Sequence, residues 1–598
     1  MCGIIGYTGK SNAVEHIVSG LEALEYRGYD SAGFAVNINE ETKICKCVGS
    51  PKNLKEFTNH YPADTGIGHT RWATHGPATE NNAHPHTSEN GLFTIVHNGI
   101  IENYIELKER LISQGIKFRS QTDSEVIAHL LEKNYNGDLK GTVTSVLPLL
   151  KGAYALAILC KDYPDTIVCA KLSSPIFVGT DIDEAFISSD ASVIAEYSKR
   201  VFRLNDGEIG IVTKDNFKVY DIEGCRIRKT EIRINNKNTK SDKNGYEHYM
   251  LKEIHEQPDV LRKTLSDIIQ GNKIVFKNLK WYPEEIKSIK NVHFVACGSA
   301  YHVGVTGAYI CEELFKKNAT AVVASEYRYK YPLIDKDTLV IIISQSGETA
   351  DTIAAMRIAK EKGAKIISVV NVENSTIAME SDCVILTKAG KEIAVATTKA
   401  YIAQLATIYT LIIHLALISD ELLKTEYDLL IEEIKTLPDK IQKILDNHKS
   451  IKEYVNQVLE SDYVCFIGRN LEYTSALEAA LKLKEISYIP CEAYAAGELK
   501  HGTISLITQK SLCIALNCSK RLRSKIENSI FEIKARNGKT VTITSEQENG
   551  NITIPATNDL FYPLLEVVPL QLLAYYTALQ KGCEIDKPKN LAKSVTVE

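Results

Sequence analysis

The sequence predicts an α+β domain of stacked sheets with outer helices, followed by two doubly wound α/β domains. Short β-branched runs, interrupted by helical patterns, continue to about residue 233. After a polar stretch the pattern changes to apolar strands that alternate with longer helices, which is typical of a parallel sheet. The strand pattern of this later region repeats once, so we expect two copies of the same fold.

Domain boundaries follow from the polar stretch, which has no apolar residue to bury. We assign the first domain to residues 1–235 and the linker to 236–245. The first α/β domain spans 246–430 and the second 450–598, with a helical stretch at 428–459 joining them. At 598 residues the chain is long enough for several cores, each rarely exceeding ~300 residues.

Composition describes an ordinary soluble protein, with 44% hydrophobic residues, 24% charged residues and a formal net charge of -5. Nothing in this charge attracts nucleic acid or an anionic membrane, so we expect neither as a partner. The cysteines are scattered, and the close pair Cys45 and Cys47 lacks a matching Cys/His group, so we expect no metal and no disulfide framework. The N-terminus carries no secretory signal pattern, which indicates a cytoplasmic protein.

The duplication is inferred from three matched segments. Strand Val292–Ala296 is matched to a strand at Tyr463–Gly468, and Leu339–Ile343 is matched to Leu512–Leu516. Glu326-Tyr327, in the loop after the next strand, is matched to the Glu492–Tyr494 segment. Two unrelated α/β halves remain the alternative interpretation.

Cys2 is the candidate nucleophile of the first domain. Removal of Met1 would give Cys2 a free α-amine, whose pKa of ~8 lies close to the thiol pKa of ~8.5. The amine can then accept the thiol proton at neutral pH. A small residue at an arbitrary chain start is the alternative.

Further on, two segments supply groups that acyl transfer from Cys2 would need. Arg71 could pair with a carboxylate through two hydrogen bonds, and the Asn98 amide with the Gly99 N–H could form an oxyanion hole. Asp123 could hold a substrate amino group, or it could cap the helix that follows.

In the first α/β domain, the strand Thr338–Ile343 leads into Ser344-Gln345-Ser346-Gly347-Glu348-Thr349 and then an Ala-rich helix. Hydroxyls and a glycine at a helix start can cradle a phosphate, and the absence of a Walker lysine favours binding over phosphoryl transfer. A serine-rich capping turn is the alternative. The second copy has Asn517-Cys518-Ser519 here, so we expect phosphate only in the first. Val395 and Ala396 lie in a segment that could close the same crevice.

The helix at Glu478–Ile486 places Glu478, Lys482 and Glu485 on one face, which brings carboxylates and an ammonium together. An exposed, salt-bridged face is the ordinary alternative. His501, in the Gly497–Gly502 segment, could act as an acid or base in a cleft, although a solvated loop histidine is more common.

These motifs resemble a known family. Cys2-Gly3-Ile4, Tyr26–Gly33, His69–Gly76 and His97-Asn98-Gly99 are similar to N-terminal-nucleophile glutamine amidotransferases, whose fold has stacked antiparallel sheets. The Ser344–Thr349 loop, Lys484–Tyr488, Glu498–Gly502 and the tail Asn590–Glu598 are similar to paired sugar isomerase domains. In this order, over essentially the whole chain, they resemble the isomerising glutamine–fructose-6-phosphate aminotransferase family.

The resemblance implies that Cys2 attacks the glutamine side-chain amide and releases ammonia, with Asn98 and Gly99 as the oxyanion hole. It assigns glutamine binding or pocket shaping to Arg27, Arg71, Thr74, His75 and Asp123, and the gating of an ammonia channel to Trp72.

For the sugar, the resemblance implies a Schiff base between Lys593 and the C2 ketone, proton transfer between C1 and C2 by Glu485, and ring opening by His501 from a partner subunit. Lys482 would serve O1 or the proton relay, no redox cofactor is needed, and a homodimer is implied. Ser299, Ser344, Gln345, Ser346, Thr349, Val395 and Ala396 would bind the sugar phosphate.

Two departures from the family pattern bear on sugar affinity or loop rigidity. Ala300 replaces a residue that usually carries a hydroxyl, and Thr503 replaces the usual proline after His501-Gly502. The expected reaction yields glucosamine 6-phosphate and glutamate. The alternatives are a related amidotransferase for another phosphorylated keto sugar and a sugar-phosphate-sensing regulatory protein.

Overall fold

The computed structural model describes residues 2–39, 41–58, 60–232, 234, 242–546, 548 and 550–596. The chain forms two compact units, one comprising Met1–Lys240 with Ala592–Glu598 and the other comprising Ser241–Leu591. Residues 236–241 of the predicted linker lie outside the described residues.

The first unit is built from two antiparallel sheets with helices on their outer faces. Its helices are α1 (Ala13–Ala23), α2 (Tyr104–Ser113), α3 (Glu125–Asn134), α4 (Leu139–Val146) and α5 (Ala191–Ile194). Its strands are β1 (Gly3–Thr8), β2 (Ser31–Ile38), β3 (Glu41–Val48), β4 (Thr65–Arg71), β5 (His86–Thr87), β6 (Phe93–Ile101), β7 (Gly152–Cys160), β8 (Tyr163–Leu172), β9 (Phe177–Asp181), β10 (Glu184–Ser188), β11 (Arg200–Arg203), β12 (Ile209–Thr213), β13 (Asn216–Tyr220) and β14 (Arg226–Ile227).

Both sheets have seven strands, in the orders β11-β9-β10-β1-β4-β2-β3 and β14-β13-β12-β8-β7-β6-β5. Ile4 and Ile67 from the first sheet pack with Val96 and Ala155 from the second in one buried cluster, so the sheets are stacked face to face. The apolar stripe of α1 covers the first sheet and that of α3 covers the second. The predicted α+β architecture is confirmed.

The second unit contains two parallel sheets. Its strands are β15 (Ile269–Gln270), β16 (Lys273–Ile274), β17 (Asn291–Ala296), β18 (Asn318–Val323), β19 (Thr338–Ser344), β20 (Lys365–Val370), β21 (Cys383–Leu386), β22 (Tyr463–Gly468), β23 (Cys491–Ala495), β24 (Ser511–Leu516), β25 (Lys539–Ser545) and β26 (Ile552–Ile554). Its helices are α6 (Tyr249–His255), α7 (Gln257–Ile268), α8 (Pro283–Lys287), α9 (Gly298–Ile310), α10 (Ala324–Tyr327), α11 (Ala350–Glu361), α12 (Thr376–Glu380), α13 (Lys399–Ile418), α14 (Lys424–Asp446), α15 (Val455–Leu459), α16 (Leu471–Ser487), α17 (Arg523–Lys534) and α18 (Tyr562–Gln580).

The two parallel sheets have the same strand order, β18-β17-β19-β20-β21 and β23-β22-β24-β25-β26. In each sheet the first strand along the chain, β17 or β22, lies second in the order. The next strand lies on one side of it and the later strands lie on the other side. This is the doubly wound order, with a switch point beside the first strand. Helices from both halves share one large apolar core. This repeated topology confirms two copies of one fold.

The structure corrects the sequence matching at one point. Glu492 lies inside β23, whereas Glu326 lies in α10, after the strand equivalent to β23. Ala319 pairs with Val292 and Cys491 pairs with Val464, so counting along the two strands places Glu326 opposite Glu498. Matching short Glu-Tyr motifs was therefore wrong by several residues, because a two-residue motif is too short to fix the alignment that the pairing with β17 and β22 establishes.

Among the described residues, α13 is the one helix that is long and apolar enough to cross a membrane, and 83% of its most apolar window is buried inside the protein. Its polar residues Gln404, Thr407 and Thr410 are buried as well. α13 is therefore a buried core helix of the second unit.

Candidate active site

Cys2 directly precedes β1, a central strand of the first sheet. Its sulfur accepts a hydrogen bond from the Trp72 N–H at 3.3 Å and lies 3.6 Å from the Trp72 carbonyl oxygen. Burial raises the pKa of the Cys2 thiol, while the positive chain terminus and the Trp72 N–H act in the opposite direction. A thiol held in this state needs a nearby base to become a nucleophile at neutral pH.

Asn98, in β6, lies beside Cys2. Its side-chain N–H donates to the Cys2 carbonyl oxygen at 3.1 Å, and its Oδ1 lies 3.0 Å from Nε2 of the buried His69. These contacts fix the amide so that its N–H faces Cys2. The structure thus brings the predicted residues Asn98 and Cys2 together.

Gly99, next to Asn98, has a φ of 142°, a backbone conformation that favours glycine. A Cβ at this position would lie 1.9 Å from the Ala153 carbonyl oxygen. No side chain fits there, and the main chain of β6 is held close to β7.

We expect Gly99→Ala to reduce glutamine hydrolysis by at least ~100-fold, since a displaced backbone N–H no longer stabilises the oxyanion. Glutamate release measures the effect. Gly49→Ala is the matched control: Gly49 also has a positive φ, of 88°, but nothing lies within 4 Å of its Cβ position. Equal loss in both variants would show that backbone strain alone is responsible.

Arg71 is buried at the end of β4, and its guanidinium donates to three main-chain carbonyls. These belong to His75 at 2.5 Å, Gly76 at 3.1 Å and Pro77 at 3.2 Å. The side chain therefore shapes the loop that carries Thr74 and His75. Thr74 is exposed and His75 is half-buried, so both face accessible space.

Asp123 is buried, and its Oδ2 accepts a hydrogen bond from the Ile101 N–H at 2.8 Å. His75 Nδ1 lies 3.9 Å from its Oδ1. The residue that precedes α3 is Ser124, and it makes no side-chain capping bond, so helix capping does not account for Asp123. His75 and Asp123 thus lie at the same loop cluster as Arg71.

Arg27 forms a buried ion pair with Asp190 at 3.0 Å, and both also contact the Tyr26 hydroxyl. Burial alone would raise the pKa of Asp190, but the Arg27 charge and the hydroxyl groups of Tyr26 and Ser192 lower it to about 2. Arg27 is therefore committed to a structural ion pair.

Three buried histidines, His69, His84 and His86, lie next to one another. The ring centroid of His84 is 4.1 Å from that of His69 and 4.5 Å from that of His86. Burial lowers the pKa of His69 to about 3 and holds the pKa of His84 and His86 well below 6.5. All three rings are neutral in the folded unit.

We expect the first unit to lose stability as the pH falls from ~6.5 towards ~4. In this window the histidines of the unfolded chain bind protons and the buried rings of the folded unit do not. The free energy of unfolding therefore falls by about 1.4 kcal/mol per pH unit for each ring, and above ~6.5 the stability is fully present. Urea unfolding followed through Trp72 fluorescence in a Trp281→Phe background measures it. A His84→Leu variant should show a smaller slope, and a flat wild-type profile would contradict the expectation.

The hydroxyl-rich loop lies between β19 and α11, where the sequence predicts it. The Gly347 N–H donates to Ser344 Oγ at 3.0 Å, and Ser344 Oγ lies 3.3 Å from Thr349 Oγ1. Gly347 has a φ of 66°, and a Cβ there would lie 2.0 Å from Ser375 Oγ. Glu348 is buried and accepts from the N–H and hydroxyl of Thr376 at 2.7 and 2.6 Å. The loop is therefore a built structure at the carboxyl end of the sheet, where such folds bind ligands.

A buried charged network connects α9 and α16. Lys482 Nζ lies 2.6 Å from Glu485, 3.4 Å from Glu478 and 3.1 Å from Ser299 Oγ. Glu478 also accepts from Ser299 at 2.9 Å and lies 2.8 Å from His302 Nδ1. Burial raises the pKa of Glu478, but the charge of Lys482 and the bond from His302 outweigh it and lower the pKa.

The ordinary interpretation of that helix face, an exposed salt-bridged surface, is wrong. Glu478 is 0% exposed and Lys482 is 1% exposed, while the Glu485 side chain retains 21% exposure. An ammonium held between two carboxylates, one of which reaches solvent, can relay a proton. The arrangement brings Ser299, Lys482 and Glu485 of the prediction together.

The remaining predicted residues lie at separate places. His501 is exposed in a short 3-10 turn, and Lys593 is half-buried in the tail that belongs to the first compact unit. The Val395 N–H donates to the Asp586 carbonyl oxygen at 3.0 Å, and Ala396 is buried next to it. Gln345 and Ser346 are half-buried in the hydroxyl-rich loop.

Sequence reasoning missed several residues that position the site. His302 and Glu348 were not singled out as site residues, although His302 lies one helical turn from Ser299 on the same face. Glu392 accepts from the N–H groups of Thr398 and Ala400 at 2.9 and 3.1 Å and so fixes the start of α13. No sequence pattern around Asp190 indicates its role, because its ion-pair partner Arg27 is far away in the sequence.

Comparisons with known proteins give the same two domain types. A glutamine amidotransferase domain matches residues 69–196, and an SIS domain matches residues 285–414 and 458–580. The solved C-terminal domain of glucosamine-fructose-6-phosphate aminotransferase from Francisella tularensis is 34% identical, with a TM-score of 0.56, and the match covers 58% of this chain and 100% of that chain.

Full-length relatives point to the same family as the two domain matches. Glutamine–fructose-6-phosphate aminotransferase [isomerizing] of Clostridium tetani is 46% identical over 608 residues, with 100% of both chains covered. The protein of the same name from Caldanaerobacter subterraneus is also 46% identical, over 611 residues with the same coverage. On this evidence the chain belongs to the glutamine–fructose-6-phosphate aminotransferase (isomerizing) family.

Proposed function

We propose that this chain converts D-fructose 6-phosphate and L-glutamine into D-glucosamine 6-phosphate and L-glutamate, the first step of amino-sugar synthesis. The observation that carries the proposal is the buried Ser299–Glu478–Lys482–Glu485 network, which occurs in a chain that also holds a thiol at Cys2 beside the Asn98 amide. The first site makes ammonia from an amide, and the second can move a proton on a sugar phosphate.

In the glutamine half-reaction, the Cys2 sulfur attacks the side-chain amide carbon and its proton passes to the α-amine. The Asn98 amide and the Gly99 N–H stabilise the oxyanion. The protonated α-amine then passes its proton to the leaving nitrogen, and the tetrahedral intermediate collapses to a thioester and ammonia. Water then hydrolyses the thioester to glutamate. The Asp123 carboxylate, with Arg71, Thr74 and His75, positions the substrate, and Trp72 gates the departure of ammonia. Arg27 helps to shape the pocket through its ion pair with Asp190.

In the sugar half-reaction, the Ser344–Thr349 loop, together with Ser299, Val395 and Ala396, holds the phosphate. His501 opens the sugar ring, and Lys593 forms a Schiff base with the C2 ketone. Ammonia replaces Lys593 at C2, and Glu485 moves a proton from C1 to C2, which turns a ketose imine into an aldose amine with no redox change. Lys482 stabilises charge at O1 or relays the proton.

We assign the enzyme to the cytoplasm as a homodimer, without nucleic acid or membrane partners. An exposed His501 supports the dimer, because a partner surface packed over it would place it in a cleft, where a histidine can act as an acid or base. The oligomeric state can be measured by light scattering, with His501→Ala assayed alone and mixed with a Glu485→Gln chain. Recovery of activity in the mixture would show that the two residues act from different subunits.

The alternative substrate is another phosphorylated keto sugar, which Ala300 favours because it lacks a hydroxyl that the family usually has near the sugar. Product formation with fructose 6-phosphate, tagatose 6-phosphate and sorbose 6-phosphate decides between them. We expect fructose 6-phosphate to give the highest kcat/KM, with glucosamine 6-phosphate as the product. No glucosamine 6-phosphate at any enzyme concentration would overturn the proposal.

A further inference from the structure

The second parallel sheet carries, at the place equivalent to the hydroxyl-rich loop, a different set of side chains. Thr338 pairs with the first residue of β17, and Ser511 pairs with the first residue of β22, so these two residues are equivalent. The same number of residues further along the chain lie Gln345 in the first sheet and Cys518 in the second. Equal counting from Asn291 and Tyr463 places Glu472 where the first sheet has Ala300.

Helix positions extend the same equivalence. Glu566 is the fifth residue of α18 and Ala403 the fifth of α13, the helix that follows the crevice in the first sheet. Gly298 and Asn470 also hold equivalent positions and share a positive φ, of 56° and 54°. The two crevices are therefore comparable residue by residue, and one amide and two alanines are replaced by a thiol and two carboxylates.

Glu472 excludes phosphate from this second loop. Its Oε1 accepts hydrogen bonds from the N–H groups of Cys518 and Ser519 at 2.6 and 2.9 Å. Backbone N–H groups at this place in a doubly wound fold are the ones that bind an anion. An internal carboxylate takes the position of that anion, so these two N–H groups are not available to a ligand phosphate.

Four other side-chain atoms of this cluster lack hydrogen-bond partners, whereas Cys518 Sγ donates to the Ile543 carbonyl oxygen at 3.5 Å. Among the described residues, neither carboxylate oxygen of Glu566 has a partner, and neither does Oε2 of Glu472 or Oγ of Ser475. Glu566 and Ser475 are 0% exposed and Glu472 is 2% exposed. A buried carboxylate without a partner costs several kcal/mol, so these groups require a counter-charge or bound protons.

Glu472, Cys518 and Glu566 converge on one point, since one ligand atom from each lies within 4.8 Å of the other two. In a tetrahedral zinc site, bond lengths of ~2.3 Å to sulfur and ~2.1 Å to oxygen separate the ligand atoms by about 3.6 Å. Small rotamer changes close that difference. One thiolate with two carboxylates suits Zn²⁺ better than Mg²⁺ or Ca²⁺, which take oxygen ligands alone.

We propose that Glu472, Cys518 and Glu566 bind a divalent transition-metal cation of the zinc type in the second parallel sheet. Ser475 lies on the same helix face as Glu472 and is available as a further oxygen donor. The site is closed, so its role is structural. It ties the first turn of α16 to β24 and α18, and α16 carries Glu478, Lys482 and Glu485 further along.

Burial raises the pKa of Glu566 to about 7, with Ser475 and Cys518 acting against it, and it raises the pKa of Glu472 and of the Cys518 thiol. A thiol must lose its proton to bind a metal, so we expect the affinity for the cation to rise with pH.

The test uses the full-length chain, stripped with a chelator and reconstituted with Zn²⁺. Mass spectrometry of the metal should find about one zinc per chain, and zinc should raise the unfolding midpoint. Cys518→Ser and Glu566→Gln should each weaken zinc binding by at least ~10-fold. Cys583→Ser, which removes a half-buried thiol elsewhere, should leave it unchanged.

Spectroscopy covers the case in which a variant does not fold. Zinc X-ray absorption on the wild-type chain should show one sulfur and two or three oxygen neighbours, and Co²⁺ reconstitution should give a thiolate-to-cobalt charge-transfer band. An oxygen-only or nitrogen-rich shell would overturn the proposal. So would equal zinc content in wild type and Cys518→Ser, or no zinc at all, which would mean that protons neutralise the cluster.

Discussion

Replacing Cys2 with alanine is expected to lower glutamine hydrolysis by at least ~10³-fold while the first unit keeps its stability. The sulfur contacts the main chain of Trp72 and packs against no core cluster, so its removal leaves no large cavity. The Asn98 amide keeps its bond to the Cys2 carbonyl oxygen, which belongs to the backbone. The pocket should therefore still bind glutamine.

Glutamate release and glutamine binding are measured side by side for this variant. Cys47→Ala is the matched control, because Cys47 is another half-buried thiol of the same sheet. Intact mass after treatment with a glutamine-like electrophile should show a single label on the wild type and none on Cys2→Ala. Equal glutamine hydrolysis by wild type and Cys2→Ala would refute the assignment of the nucleophile.

The second large effect is expected at the charged network of α16. Lys482→Met removes the ammonium that Glu478 and Glu485 share, and breaking a buried ion pair costs about 3–5 kcal/mol. We expect glucosamine 6-phosphate formation to disappear and the second unit to unfold at a lower temperature. Glutamine hydrolysis should continue, because Cys2 lies in the first unit.

Glu485→Gln separates chemistry from stability in that network. The amide keeps the size of the side chain and is partly exposed, so stability should change little, whereas product formation should fall by ~10²- to 10⁴-fold through loss of the proton carrier. Lys484→Met, at an exposed neighbour on the same helix, is the control and should resemble wild type. Normal product formation by Glu485→Gln would exclude Glu485 as the base.

The sequence was sufficient where local pattern determines structure. β19, the Ser344–Thr349 loop and α11 lie within one residue of the prediction, because an apolar strand, a glycine with positive φ and an Ala-rich helix leave few alternatives. Here a short segment contains all the information that its conformation needs.

Long-range pairing could not be predicted in this way. Glu478 was seen as one of three charges on a helix face, but its burial comes from His302 and Ser299 on α9, a different helix. The counterpart of Glu326 was misplaced for the same reason, since the alignment of the two halves depends on how each strand pairs with its neighbouring strand. The Glu472–Cys518–Glu566 cluster joins three elements that no local motif connects.

The central position of β1 has a consequence for dynamics. β1 pairs with β4 along its whole length and with β10 over Ile5 to Thr8. Amides paired in this way exchange with deuterium only when the whole unit opens, so we expect Ile5 and Gly6 to be among the slowest. β1 therefore holds the chain directly after Cys2, whereas the exposed loop around Thr74 can shift at low cost. We expect control over glutamine cleavage to act through that loop more than through the backbone beside the thiol.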